Sequence, residues 1–93
     1  MHVCFVEYRI EPEFEREYRA WIRGRQAEEG FLLYEGTDQP GLFVEIWEAA
    51  DKAGAEAIKK ERCDERSSWT VMRDWLPRGK QPHAWVFRRV RNN

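Results

Sequence analysis

Cysteine is scarce in this chain: Cys4 and Cys63 are the only two, and no CxxC spacing occurs. Neither a disulfide scaffold nor a zinc site is indicated, and both thiols are expected to be reduced. Long apolar runs are missing as well. No stretch approaches the roughly 20 residues of a membrane span, and charged residues from Glu7 onward exclude a signal-peptide core, so a cytoplasmic location is the default expectation. Charge of one sign is also lacking. Sixteen Lys and Arg against seventeen Asp and Glu leave a net charge of −1, which provides no field for nucleic acid or an anionic membrane. The basic residues near the end, among them Arg78, Lys80, Arg88, Arg89 and Arg91, are read as a solvated terminal strand. The two His and two Cys are scattered without ligand spacing, so no metal site is expected. A glycine-rich phosphate cradle, a GxSxG elbow and a dinucleotide fingerprint are absent, and the residues call for no bound cofactor.

What is present is a single small core's worth of apolar volume. Hydrophobic residues make up 42% of the 93 residues, with five Trp and five Phe among them. A chain of this length buries only about 60% of its unfolded surface, so one domain spanning residues 1–93 is expected. An aromatic share of 14% is more than one sheet covered by two helices readily buries, so some aromatic surface should meet a partner or ligand.

Periodicity then orders the elements. His2 to Ile10 alternates like a strand, with Cys4, Val6, Tyr8 and Ile10 on one face and Val3, Phe5, Glu7 and Arg9 on the other. Pro12 with Glu11, Glu13 and Glu15 opens a helix, on which Phe14, Tyr18, Trp21 and Ile22 form one apolar stripe. A boundary falls at Ala27 to Gly30, and Phe31–Glu35 and Leu42–Glu48 read as strands of a hairpin across the turn-rich Gly36–Gly41. Asp51 caps a second helix. Apolar residues thin out after Ile58, and Ser67-Ser68 restarts the helix as a separate piece carrying Trp69, Met72, Trp75 and Leu76. Pro77, Gly79 and Pro82 end it, and His83 to Val90 is the last strand. The order is βαββαβ, an α+β ferredoxin-like antiparallel sheet with its helices on one face.

One sheet face therefore stays open. Placing Cys4, Val6, Tyr8, Val44, Ile46, Ala84 and Val86 toward the helices assigns Phe5, Glu7, Arg9, Phe43, Glu45, Trp47, His83, Trp85 and Phe87 to the open side. Such a patch predicts a homodimer through this face, with polar groups enclosed among aromatic walls as a ligand site. Glu7, Glu45 and His83 are the candidate catalytic residues: two neighbouring carboxylates raise one pKa toward that of a general base, and an imidazole relays protons. Trp47, Trp69, Trp85, Arg9 and Phe43 are the candidate substrate-binding residues. The alternative is that Glu7, Arg9 and Glu45 only fasten the dimer while the aromatics pack.

The segment Leu42-Phe43-Val44-Glu45-Ile46-Trp47-Glu48-Ala49-Ala50-Asp51-Lys52-Ala53, together with Ile10-Glu11-Pro12-Glu13 and the helix bearing Phe14, Tyr18 and Trp21, resembles the antibiotic biosynthesis monooxygenase family of dimeric α+β barrels. The resemblance spans nearly the whole chain. It implies a sheet-to-sheet dimer with a cavity between sheet and helices, so that a ligand site under the split second helix near Trp69 and Trp75 stands beside the open-face site. It also implies oxidation of polyketide aromatics without cofactor in some members and haem degradation in others. The haem-degrading members use an Asn, Trp and His set. Here Asn occurs only at Asn92 and Asn93, and Ile58-Lys59-Lys60-Glu61 stands where relatives often place a histidine, which disfavours haem. The function expected is thus a small-molecule-binding dimeric barrel, either a cofactor-independent monooxygenase for an aromatic or polyketide-like substrate or a non-enzymatic ligand-binding or stress-associated barrel. An isomerase or decarboxylase using a carboxylate base is a third reading.

Overall fold

The computed structural model describes residues 1–91; Asn92 and Asn93, on which the argument against haem partly rests, lie outside the described residues. Strand β1 runs His2–Arg9 and is followed by a 3-10 turn, Pro12–Phe14, that leads into helix α1, Glu15–Glu29. Proline fixes the opening turn and Glu15 and Glu17 occupy the positive end of α1. Gly30 closes the helix in the left-handed region (φ 79°), its N–H donating to the Gln26 carbonyl, a conformation that glycine adopts without a Cβ penalty.

Strands β2, Leu32–Glu35, and β3, Leu42–Ala49, flank the expected six-residue loop. Helix α2, Lys52–Cys63, starts at Asp51, whose carboxylate accepts the Gly54 N–H at 2.8 Å. The expected break follows. The chain re-enters a helical path as the 3-10 segment Ser68–Trp75, where the Ser67 hydroxyl accepts the Trp69 N–H. After Leu76 to Pro82, β4 occupies His83–Arg88, two residues shorter than expected.

The four strands form one antiparallel sheet in the order β2-β3-β1-β4. Helices and 3-10 segments lie on one face, and the ferredoxin-like arrangement read from the sequence is the one observed. The register corrects the assignment of faces. Cys4 pairs with Trp47, Val6 with Glu45 and Tyr8 with Phe43, while Glu7 pairs with Val44 and Phe5 with Ile46. Directly opposed residues share a face, so Phe43, Glu45 and Trp47 point toward the helices and Val44 and Ile46 toward the open side, the reverse of the expectation for β3. The β1 and β4 assignments stand: Ala84 and Val86 lie with Val6 and Cys4, and His83, Trp85 and Phe87 lie with Glu7, Phe5 and Val3.

The helix side holds the core, in which Cys4, Val6, Tyr8, Tyr18, Phe43, Trp47, Trp69 and Met72 are buried, with Trp21 and Trp75 packed half-buried against them. Four of the five Trp are thus accommodated by the helix layer, more than the sequence suggested. Only Trp85 stays 41% exposed.

Candidate functional site

Two places concentrate chemistry, one on each face of the sheet. Under the helices, Glu45 projects from the middle of β3 into the core and Arg62 projects to meet it from the last turn of α2. Both side chains are at most 1% exposed. Arg62 donates from Nε to Glu45 Oε1 (2.8 Å) and from Nη2 to Oε2 (2.7 Å), a bidentate fork. Trp47 Nε1 donates to Oε1 at 2.8 Å and Tyr8 OH to Oε2 at 2.6 Å. Four donors therefore fill the acceptor positions of an ionised carboxylate. Because Tyr8 spends its one proton on Glu45, the 2.7 Å contact between the Tyr8 and Tyr18 hydroxyls makes Tyr18 the donor to Tyr8.

Burial and the Glu45 charge act on the groups around it. Burial, followed by the Glu45 charge, pushes the Tyr8 phenol well above its ordinary range. Burial raises Tyr18 too. Burial works against the Arg62 charge, but hydrogen bonding and attraction to Glu45 outweigh it and hold the guanidinium above the usual arginine value. Cys4 is pushed up from 9.0 to about 11, chiefly by burial, so it is a protonated, inert thiol at neutral pH. The Trp69 ring packs against two guanidinium groups, Arg62 at 4.1 Å and Arg25 at 4.0 Å from its centroid. Trp21, Trp47 and Phe31 meet the same ring edge-on at 5.4–6.0 Å. The space under the split helix is consequently filled by aromatic rings, leaving a recess of about 90 Å³ beside Trp47, Arg62 and Trp69.

On the open face, Glu7, Arg9 and His83 come together. Glu7 and His83 are direct cross-strand partners in the β1–β4 register, and Arg9 lies two residues further along the same face of β1. With Leu42, Leu76 and Lys80 they line a pocket of about 270 Å³ at the end of the sheet. Above it the face is apolar: Phe5 packs against Trp85 (5.7 Å) and Phe87 (6.2 Å), and the His83 imidazole stacks on Trp85 at 5.9 Å.

Of the residues singled out from the sequence, Glu7, Arg9, His83 and Trp85 are thus gathered on the open face. Glu45, Trp47, Phe43 and Trp69 lie in the core on the opposite side, so Glu7 and Glu45 form no carboxylate pair. The sequence reading missed Arg62 as the partner of Glu45, placed Tyr18 only as a member of the apolar stripe, and read Lys80 as part of a solvated basic cluster. An arginine in the last turn of an amphipathic helix signals only a favourable helix dipole, and nothing in its spacing announces a partner 17 residues away. Among the described residues no three His, Cys, Asp or Glu side chains gather as metal ligands, and no helix is long and apolar enough to cross a membrane.

The sheet order, the split βαβ connections and the one-sided helix layer define an α+β domain of the ferredoxin-like class. In particular, the chain is similar to the solved crystal structure of an antibiotic biosynthesis monooxygenase, with a TM-score of 0.66 and 19% sequence identity over 98% of this chain and 100% of that one. At that identity the likeness carries the fold, the same fold to which the β3 and α1 segments pointed. No family model and no curated protein matches the chain.

Proposed function

We propose that the protein is a homodimeric α+β barrel that binds a small organic molecule in the open-face pocket of Glu7, Arg9 and His83. The observation carrying this reading is the convergence of these three polar residues on one 270 Å³ pocket beside an exposed aromatic face, the combination of apolar wall and few polar groups that marks ligand sites. Glu7 and His83, opposed across β1 and β4, act as the proton-transfer pair, Arg9 orients the ligand, Leu42 and Leu76 supply apolar wall, and Trp85 backs the pocket by stacking on His83. Glu45, with every acceptor position occupied by protein donors, serves as counter-ion to Arg62, and Trp47, Trp69 and Phe43 serve as packing. Nuclear magnetic resonance screening of small aromatic fragments tests the reading. Amide shifts are expected at Glu7, Arg9 and His83 and at Gln81, which also lines the pocket; shifts confined to Trp47, Arg62 and Trp69, or none anywhere, would overturn it.

The likeness to a solved monooxygenase favours a second reading on the same pocket, cofactor-independent oxidation of a phenolic substrate. In that chemistry Glu7 and His83 take the phenolic proton and dioxygen attacks the ring. One oxygen atom enters the ring as a carbonyl, and the other leaves as water with the two hydrogens removed.

A further inference from the structure

Resting on the pocket reading above, the charges around the site narrow its ligand: we infer that it is a small monocarboxylate of about ten non-hydrogen atoms in all, with an apolar body. Arg9, Lys80 and Glu7 all line the pocket, so two cations face one anion and the site carries one uncompensated positive charge. Among the described residues none of the three takes part in an ion pair. The Arg9 fork is held only loosely, by contacts of 3.4 Å to the Pro40 carbonyl and to Gln39 Oε1, longer than well-made hydrogen bonds. A planar guanidinium in that condition matches a carboxylate bidentately.

A single negative charge neutralises the site, whereas a dianion would meet the Glu7 carboxylate with excess charge. Beside the uncharged polar Gln39 and Gln81, the lining offers apolar surface at Leu42, Leu76 and Pro77, which suits a hydrocarbon body attached to the carboxylate. At about 30 Å³ for each water-sized unit, 270 Å³ holds on the order of ten non-hydrogen atoms, the size of a substituted benzoate.

The test compares 4-hydroxybenzoate with 4-hydroxybenzamide, nearly the same shape without the charge, titrated into the full-length protein by nuclear magnetic resonance. The acid is expected to bind at least tenfold tighter, with shifts at Arg9, Lys80 and His83, and Arg9→Gln or Lys80→Gln should each erase most of that preference. Equal binding of acid and amide at the pocket would overturn the monocarboxylate inference while leaving the pocket reading intact. Retention of the preference in both variants would place the anion elsewhere and overturn the inference, as would displacement of the acid by equimolar inorganic phosphate. Absence of binding by either compound would overturn the inference and the pocket reading together.

Discussion

Glu45 is a carboxylate with no contact to solvent, and every hydrogen bond it accepts comes from a protein side chain. Removing an ion from water costs several kcal/mol, which is recovered only when geometry and additional hydrogen bonds are good. Here the bidentate Arg62 fork, the Trp47 indole and the Tyr8 phenol supply four donors. Glu45→Gln keeps the shape, removes the counter-charge and turns one acceptor atom into a donor facing donors. Breaking a buried pair in this way costs about 3–5 kcal/mol, a large share of the roughly 5–14 kcal/mol that a chain of this length has in total. Urea unfolding followed by circular dichroism should show that loss, and Glu45→Gln combined with Arg62→Met should recover part of it because no orphan charge remains. A single-variant loss below about 1 kcal/mol would mean that the pair does not hold the core.

Strand β3 shows which features of an element can be read from a sequence. Its existence and limits are evident from composition and from the turn-rich loop before it, just as the stripe that begins at Phe14 and continues along α1 with Tyr18, Trp21 and Ile22 is evident from periodicity, and Ser67 announces the break after α2. Its facing is not evident, because both phases of the alternation are apolar: Leu42, Val44 and Ile46 on one side, Phe43 and Trp47 on the other. Glu45 then decides the matter wrongly, since a carboxylate looks solvent-facing until its Arg62 partner is seen. The same blind spot hid the Tyr8–Tyr18 link, which depends on two elements meeting. On the open face no such conflict arose, and Glu7, Arg9 and His83 were legible from alternation in β1 and β4. The β1–β3 pairing is anchored at the loop before β3, where Gly41 has φ +87° and a Cβ would lie 3.0 Å from the Ile10 carbonyl. Its carbonyl accepts the Ile10 N–H at 2.8 Å and its N–H donates to Glu35. Gly41→Ala is therefore expected to cost about 1–3 kcal/mol by urea unfolding, and to loosen Arg9, whose contacts are to Gln39 and Pro40 in the same loop. An alanine variant as stable as the parent would show that the loop does not hold this conformation.

At the scale of the whole molecule, the two faces of the sheet are treated unequally. The helix side is closed and densely aromatic, whereas the open side leaves Leu32, Tyr34, Trp85 and Phe87 between 41% and 55% exposed, with Phe5 packed between the last two. Contiguous apolar surface of this kind is rarely left in water, and a second copy offers the same surface related by a two-fold axis, so that each side chain finds an apolar partner. The proposed homodimer is testable by sedimentation velocity, in which the parent is expected at twice the 11.2 kDa chain mass. Phe87→Glu places a charge that would have to be buried beside Phe5 in the aromatic part of the patch, and should shift the protein to monomer while leaving the far-ultraviolet dichroism unchanged, since Phe87 contributes nothing to the helix-side core. Val71→Glu is the control: Val71 is as exposed, at 45%, but belongs to the 3-10 segment on the opposite layer, and its variant should remain dimeric. A parent that sediments as a monomer at tens of micromolar, or a Phe87 variant that stays dimeric, would remove the dimer from the proposed function. The pocket at Glu7, Arg9 and His83 would then have to be tested as a site complete within one chain.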